Sequence, residues 1–147
     1  MNIVVTYNSK TGFTKKYAEW IAKELGCSAI PYKELRNVSA YDLVIHGGWI
    51  MGGMITGLED IKKMTPAKLI AFGVGSTQDR NYVQTVKEAN HIEDVPVYYF
   101  VGGMNPEKMN FFMKFIVKKV TKSKPVYEDH SDPNAIQPLV QYVRKMC

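Results

Sequence analysis

The pattern of apolar and polar residues along the 147-residue chain predicts strands that alternate with helices. Continuous apolar runs in NIVVTY, YDLVIHG, AKLIAFG and VPVYYFVGG are typical of strands buried on both faces of a parallel sheet, and CSAIPY predicts a weaker edge strand. Tyr17, Ile21 and Leu25 recur every four residues and predict a helix that ends at Gly26. GLEDIKKM and RNYVQTVKEAN predict two more helices. The chain is therefore expected to be an α/β protein with helices on both faces of the sheet.

The domain organisation is expected to be simple. No Pro/Gly-rich linker, internal repeat or low-complexity tract divides the chain, and 46% of its residues are hydrophobic, enough for a sizeable core. Residues 1–147 are therefore predicted to form one domain.

Composition limits the location and the partners. No apolar run approaches the roughly 18 residues of a membrane span, and the opening residues lack the pattern of a secretory signal, so a cytoplasmic protein is predicted. The two cysteines, Cys27 and Cys147, do not have metal-ligand spacing, and no metal site is expected. The net charge of +5 suits an acidic partner such as nucleic acid, an anionic membrane or a carboxylate-rich ligand, but charge alone does not choose among them.

The segment between the first strand and the first helix is rich in hydrogen-bond donors. Ser9, Thr11 and Thr14 carry hydroxyl groups, Gly12 allows close backbone approach, and a helix begins immediately afterwards with free N–H groups. These features predict an anion cradle, although the same residue types also occur as plain turn and N-cap residues. Neither G-x-x-x-x-G-K-[ST] nor G-x-G-x-x-G occurs here, so the phosphate is not expected to be that of ATP or NAD.

The same segment resembles the signature of the flavodoxins, which has an aromatic residue at the strand end followed by spaced hydroxyl, small and Ala positions. The matching residues are Tyr7, Ser9, Gly12, Thr14, Ala18 and Ile21. Thr6 departs from the pattern, because an apolar residue is usual there. The resemblance implies a flavodoxin-like three-layer sandwich, a five-stranded parallel sheet in the order 2-1-3-4-5, and FMN as the cofactor.

Three loops are then expected to contact the flavin. The candidate cofactor-binding residues are Ser9, Lys10, Thr11, Gly12, Phe13 and Thr14 in the first loop, Gly47, Gly48, Trp49, Ile50, Met51 and Gly52 in the second, and Val74, Gly75 and Ser76 in the third. In the second loop the glycines permit close backbone approach, and the apolar residues offer flat or polarisable contacts to a ring. Similar flavodoxin loops have an aromatic residue where this chain has Gly52, so Trp49 is a candidate substitute. The alternative is a glycine-rich loop with an ordinary surface Trp.

The charge around these loops differs from that of low-potential flavodoxins, in which Asp and Glu surround the ring. Here the only acidic residue is Asp79, opposed by Arg80 and Lys10. By Coulomb's law, fewer anions stabilise the reduced flavin and make its potential less negative. The sequence therefore favours an acceptor of electrons over a low-potential donor.

The segment NPEKMNFFMKFIVKKVTKSKP predicts a helix whose first turn carries Pro106. One face is apolar, as in any helix packed on a core, whereas Phe111 and Phe115 fall among lysines on the other. Residues 108–122 could therefore contact an anionic membrane or a flat molecule bearing carboxylates. The alternative is a solvated charged face with two covered Phe residues.

The position of this segment resembles that in the menaquinone-dependent protoporphyrinogen oxidases, which are small FMN proteins. That resemblance implies an oxidoreductase linked to a porphyrinogen or a quinone, peripherally associated with a membrane. The alternative is a soluble FMN electron carrier that serves a redox partner protein, and in neither case is nucleic acid an expected partner. No acid–base residue is evident, although His46 lies close enough to the ligand edge of the sheet to stay a candidate. A binding or signalling module is less favoured, because Asn8 and Gly47 stand where a receiver-type regulator needs acidic residues.

Overall fold

Five parallel strands form the centre of the computed structural model, which describes residues 1–77, 79, 81–104, 115, 118–119 and 127–147. In chain order the strands and helices are β1 (Ile3–Asn8), α1 (Phe13–Leu25), β2 (Ser28–Pro31), β3 (Leu43–Met51), β4 (Met54–Ile55), α2 (Leu58–Lys63), β5 (Leu69–Gly75), α3 (Tyr82–Asn90), β6 (Val97–Val101), β7 (Gly103–Met104), β8 (Glu128–Asp129) and α4 (Gln137–Met146).

The order of the parallel strands is β2-β1-β3-β5-β6. This confirms the expected 2-1-3-4-5 arrangement, since the labels differ only because β4 intervenes in the chain. The sheet also has a sixth strand that the sequence did not predict, because β4 pairs antiparallel with the end of β3. Among the described strands, the sheet is therefore parallel except where β4 pairs with β3.

Helices cover both faces of the sheet, so the predicted three-layer fold is confirmed. On one face α1 and α4 bury Tyr17 and Leu139 against strand residues that include Phe72. On the other face α2 and α3 cover the sheet through Leu58 and Val86. Successive strand residues point to opposite faces, so the continuous apolar runs in the sequence supply both cores.

The helix α4 was missed by the sequence reasoning, although the sequence contains its signals. Pro138 lies in its first turn, and Leu139, Val140 and Val143 form a buried stripe at helical spacing. Arg144 and Lys145 in the last turn complete the usual pattern of a helix C-terminus.

The insertion that follows β6 begins and ends beside the sheet. Strand β7 pairs antiparallel with β8, and Gly103 faces Asp129 in that pair. The N–H of His130 also donates to the carbonyl of Gly102 at 2.9 Å. Most of the predicted helix in residues 108–122 lies outside the described residues.

The register of the parallel strands brings their carboxyl ends together. Asn8 pairs with Gly48, Gly48 with Gly73, and Gly73 with Tyr99. The chain segments that follow these positions therefore emerge side by side, at the edge of the sheet where α/β proteins bind their ligands.

Candidate functional site

The first loop leads from Asn8 into α1 through a residue in the left-handed region. Gly12 has φ 99° and is the N-cap of α1, a conformation that favours glycine. Its N–H donates to the hydroxyl of Ser9 at 3.2 Å, and its carbonyl accepts the first bond of the helix from Lys16 N–H at 3.1 Å. Within the described part of the chain, no side chain caps this end of α1. The first N–H groups of the helix are thus left without a capping partner.

The donor set of this loop fits a phosphate. Ser9 and Thr11 are half-buried, Thr14 is buried in the first turn of α1, and Lys10 is exposed. Residues 9–14 contain no carboxylate. Hydroxyls, an ammonium group and helix N–H groups all donate to an anion, and the dipole of α1 adds a positive end. This arrangement supports an anion site more than a simple capped turn.

The second candidate segment was predicted to be a loop, but in the structure it is a β-hairpin. Gly47, Gly48, Trp49, Ile50 and Met51 all lie within β3. The turn comprises only Gly52 and Gly53, with φ of 58° and 83°, as a tight hairpin with two left-handed residues requires. The hairpin holds Trp49 and Met51 on a strand and not on a mobile loop.

Two of the predicted glycines have a role within the protein. A Cβ on Gly47 would overlap the ring of Phe72, and a Cβ on Gly48 would overlap the carbonyl of Thr56. Packing within the sheet and the hairpin therefore requires these glycines, whether or not a cofactor approaches them. The sequence could not reveal this, because both partners lie elsewhere in the chain.

Trp49 connects the hairpin to the first loop. The Lys10 ammonium lies 5.4 Å from the centroid of the Trp49 ring, within the range of a cation–π interaction. The carbonyl of Trp49 accepts hydrogen bonds from the N–H and hydroxyl of Thr56, at 3.1 and 2.9 Å. Beyond it, the side chain of Met51 is 62% exposed. An exposed apolar surface beside an anion cradle suits a flat ring joined to a phosphate.

The third candidate loop begins in β5. Val74 and Gly75 are strand residues and Ser76 follows the strand, so only Ser76 lies beyond the regular sheet. The Val74 side chain is buried in the core, so this residue can offer only its backbone to a ligand. Arg80, expected nearby, lies outside the described residues.

Tyr99 supports the third loop and was missed by the sequence reasoning. Its hydroxyl donates to the carbonyl of Thr77 at 2.8 Å, and a Cβ on Gly75 would lie 2.8 Å from that hydroxyl oxygen. Burial raises the pKa of Tyr99, with further contributions from Tyr82, so the hydroxyl stays protonated as a donor. A tyrosine two residues into a strand gives no local signal of this role.

His46 belongs to a buried network and does not face a ligand. The ring Nδ1 lies 2.9 Å from the Thr6 hydroxyl, and Nε2 lies 2.9 Å from the carbonyl of Thr56. Because the carbonyl can only accept, Nε2 carries the proton and Nδ1 accepts from Thr6. Desolvation lowers the pKa of His46 to about 4, against smaller raising effects of the Thr56 bond and Asp60. This also accounts for Thr6, the departure from the flavodoxin pattern, as the donor to His46.

The sequence model of the flavodoxin domain family matches residues 4–131. The chain belongs to the flavodoxin family. No curated protein sequence matches it at a significant level.

Solved structures show the same fold at low sequence identity. A putative flavoprotein from Bacteroides uniformis aligns with a TM-score of 0.52 and 12% identity, over 83% of this chain and 98% of that one. A putative flavoprotein from Bacteroides eggerthii gives 0.51 and 14%, over 84% and 99%. A flavoprotein from Lactobacillus acidophilus, solved in complex with FMN, gives 0.50 and 17%, over 68% and 92%.

Two kinds of feature are absent from the described residues. None of the helices described is both long and apolar enough to cross a membrane. Among residues 1–77, 81–104 and the remaining described positions, no group of three or more His, Cys, Asp or Glu residues could hold a metal ion.

Proposed function

We propose that this flavodoxin-family protein binds FMN at the carboxyl edge of its sheet and uses it to carry electrons to or from a redox partner protein. The observation that carries the proposal is the first loop, where helix N–H groups without a side-chain cap follow a segment that holds three hydroxyls and Lys10 and no carboxylate. Family membership and the FMN-bound relative from Lactobacillus acidophilus support FMN as the cofactor.

Each part of the site has a distinct task in this proposal. The first loop binds the phosphate, Trp49 and Met51 contact the ring, and the backbone of Gly75 and Ser76 meets its polar edge. FMN supplies the electron-transfer chemistry, while the protein sets its potential and access. Because Asp79 is the only Asp or Glu in residues 9–14, 47–57 and 73–80, added negative charge on the cofactor meets little repulsion.

An electron carrier fits the described residues better than an enzyme that moves protons on a substrate. His46, the candidate acid–base residue, is fully buried, and both its nitrogens are occupied by Thr6 and Thr56. His91 is exposed and lies at the C-terminal end of α3, at the edge of the sheet opposite the cofactor loops. The Nε2 of His130 lies 3.4 Å from a carboxylate oxygen of Glu128. Neither His46 nor His91 is therefore presented to the cofactor loops.

We expect FMN to quench the fluorescence of Trp49, because the proposal places the ring beside it. Trp20 in α1 also emits, so the fluorescence titration compares the parent protein with Trp49→Phe. The fractional quench should fall in the variant, while FMN still binds as judged by flavin fluorescence. An equal fractional quench in both proteins would place Trp49 away from the flavin.

A second candidate function is the oxidation of a quinol or a porphyrinogen at an anionic membrane. The observation that favours it is the exposure of Phe115, Lys118 and Lys119, described members of the basic segment. Phe115 is 56% exposed, whereas an aromatic side chain in a packed helix would be covered. The insertion also departs from and returns to the end of β6, near the cofactor loops.

The second candidate is tested with the FMN-loaded protein. If it holds, the protein alone oxidises a quinol or porphyrinogen and binds phosphatidylserine vesicles at low salt. Replacing Lys118 and Lys119 by Gln should then weaken vesicle binding by roughly 30-fold, at about 1 kcal/mol for each lysine. The control, Lys63→Gln with Lys68→Gln, removes two exposed lysines at the opposite edge of the sheet. No turnover and no vesicle binding would leave the carrier function.

A further inference from the structure

A basic cleft adjoins the first loop on the side of β2. Its volume is about 480 Å³, and it shares Ser9, Lys10 and Gly12 with the loop. Lys15 of α1 and Lys33, two residues after β2, form its other charged walls. The cleft exists because β2 lies next to β1, with Tyr7 paired to Pro31, so the segment after β2 returns beside the first loop.

The cleft is lined by positive charge alone. Three of its nine lining residues are lysines, and none of these described residues is Asp or Glu. All three lysine side chains are exposed. The nearest acidic partner found for them is Glu19, 3.9 Å from Lys15, and both members of that pair are more than half exposed. Such a pair contributes little and is easily exchanged for another carboxylate.

Two of the lysines lie over aromatic rings. The Lys33 ammonium is 6.0 Å from the centroid of the Tyr32 ring, and Lys10 lies over Trp49 as described above. Tyr7 also lines the cleft. Aromatic side chains are enriched at protein–protein interfaces, where they provide contact area.

The shape of the cleft suits a macromolecule more than a small ligand. Sites for small molecules bury most of the ligand surface. This cleft is open, and its charges come from three separate segments, namely the first loop, the first turn of α1 and the residues after β2. Such a spread of charge matches a patch of carboxylates on another protein's surface.

We propose that the surface formed by Lys10, Lys15 and Lys33 docks an acidic redox partner protein beside the cofactor. The inference rests on the proposed function, which requires a protein to exchange electrons with the flavin. Lys10 belongs both to this surface and to the first loop, so a partner docked here lies at the cofactor edge of the sheet. The net charge of +5 attracts the same class of partner over longer distances.

The test is a stopped-flow measurement of electron transfer from the dithionite-reduced, FMN-saturated protein to two haem proteins. One is acidic, cytochrome b5, and one is basic, cytochrome c; in each the ferric iron gains one electron and becomes ferrous. At about 10 mM salt the acidic acceptor should react faster, and its second-order rate constant should fall steeply as salt rises. In Lys15→Glu with Lys33→Glu, the rate with the acidic acceptor should fall at least about tenfold.

The matched control is Lys63→Glu with Lys68→Glu, which makes the same change in net charge at the opposite edge of the sheet. It should retain most of the rate, because the effect depends on position and not on total charge. Equal losses in both double variants, or a parent that prefers the basic acceptor, would overturn the proposal.

Three other outcomes also decide between these proposals. In the first, phosphatidylserine vesicles bind the parent but not the double variant Lys15→Glu with Lys33→Glu, and they block electron transfer to the acidic acceptor. That result would assign the surface to a membrane and overturn the proposal. A parent that fails to bind FMN would contradict the proposed function itself, and the docking proposal would fall with it. An FMN-loaded parent without any charge preference would overturn the docking proposal alone.

Discussion

Replacing Thr11 and Thr14 by Ala is expected to weaken FMN binding by roughly 10²- to 10⁴-fold. Thr11 belongs to the loop between β1 and α1, and Thr14 lies in the first turn of the helix. A hydrogen bond to a charged group contributes about 1.5–3 kcal/mol, so two such bonds to a phosphate dianion contribute about 3–6 kcal/mol. The dissociation constant is measured by the quenching of flavin fluorescence as apoprotein is added.

The control for this experiment removes two hydroxyls outside the three loops. Thr65→Ala with Thr85→Ala changes exposed positions, and FMN affinity should stay within about threefold of the parent. Because Thr14 is buried, circular dichroism must show that the variant lacking Thr11 and Thr14 hydroxyls is folded. A folded variant with parental affinity would mean that the phosphate binds elsewhere.

The second large effect is on stability in mild acid, through His46. Its pKa is about 4 in the folded protein and 6.5 in the unfolded chain, so the unfolded state binds more protons between these values. The free energy of unfolding therefore falls as the pH falls from about 6.5 to about 4. The loss should reach about 3 kcal/mol, since one pKa unit corresponds to about 1.4 kcal/mol. Urea unfolding at several pH values, at a fixed FMN concentration, measures it.

Two variants separate this effect from the titration of carboxylates. His46→Gln keeps a donor and an acceptor but does not titrate, so its unfolding free energy should lose this part of the pH dependence, whatever its value at pH 7. Thr6→Val keeps the histidine and should retain most of the dependence, although it removes the donor to Nδ1. The same pH dependence in parent and His46→Gln would show that other groups cause it. Asp129 titrates below this pH range, because hydrogen bonds from Ser131 and then Lys16 hold its pKa at about 2.

Much of the fold could be predicted from the sequence because its signals are local. Apolar runs marked the buried strands, and the fourfold spacing with Gly26 marked α1, which ends at Gly26 with φ 68°. The helix α4 carried the same kind of signal but was missed. The expected order of the strands came from the resemblance to flavodoxins. That resemblance could be recognised from the sequence, because it rests on hydroxyls and a glycine at fixed spacing in one short continuous segment, the first loop.

By itself, then, the sequence determined the alternation of elements, the first loop and the family, all of which depend on residues close together in the chain. Only the tertiary structure decided what distant residues do to one another. Thr6 and His46 are 40 residues apart, and parallel pairing of β1 with β3 places them in register. The same pairing geometry sets Phe72 against Gly47 and brings Lys33 beside the first loop. Such contacts leave no local pattern in the sequence. They depend on the register between strands that are far apart in the chain, and that register exists only in the folded protein.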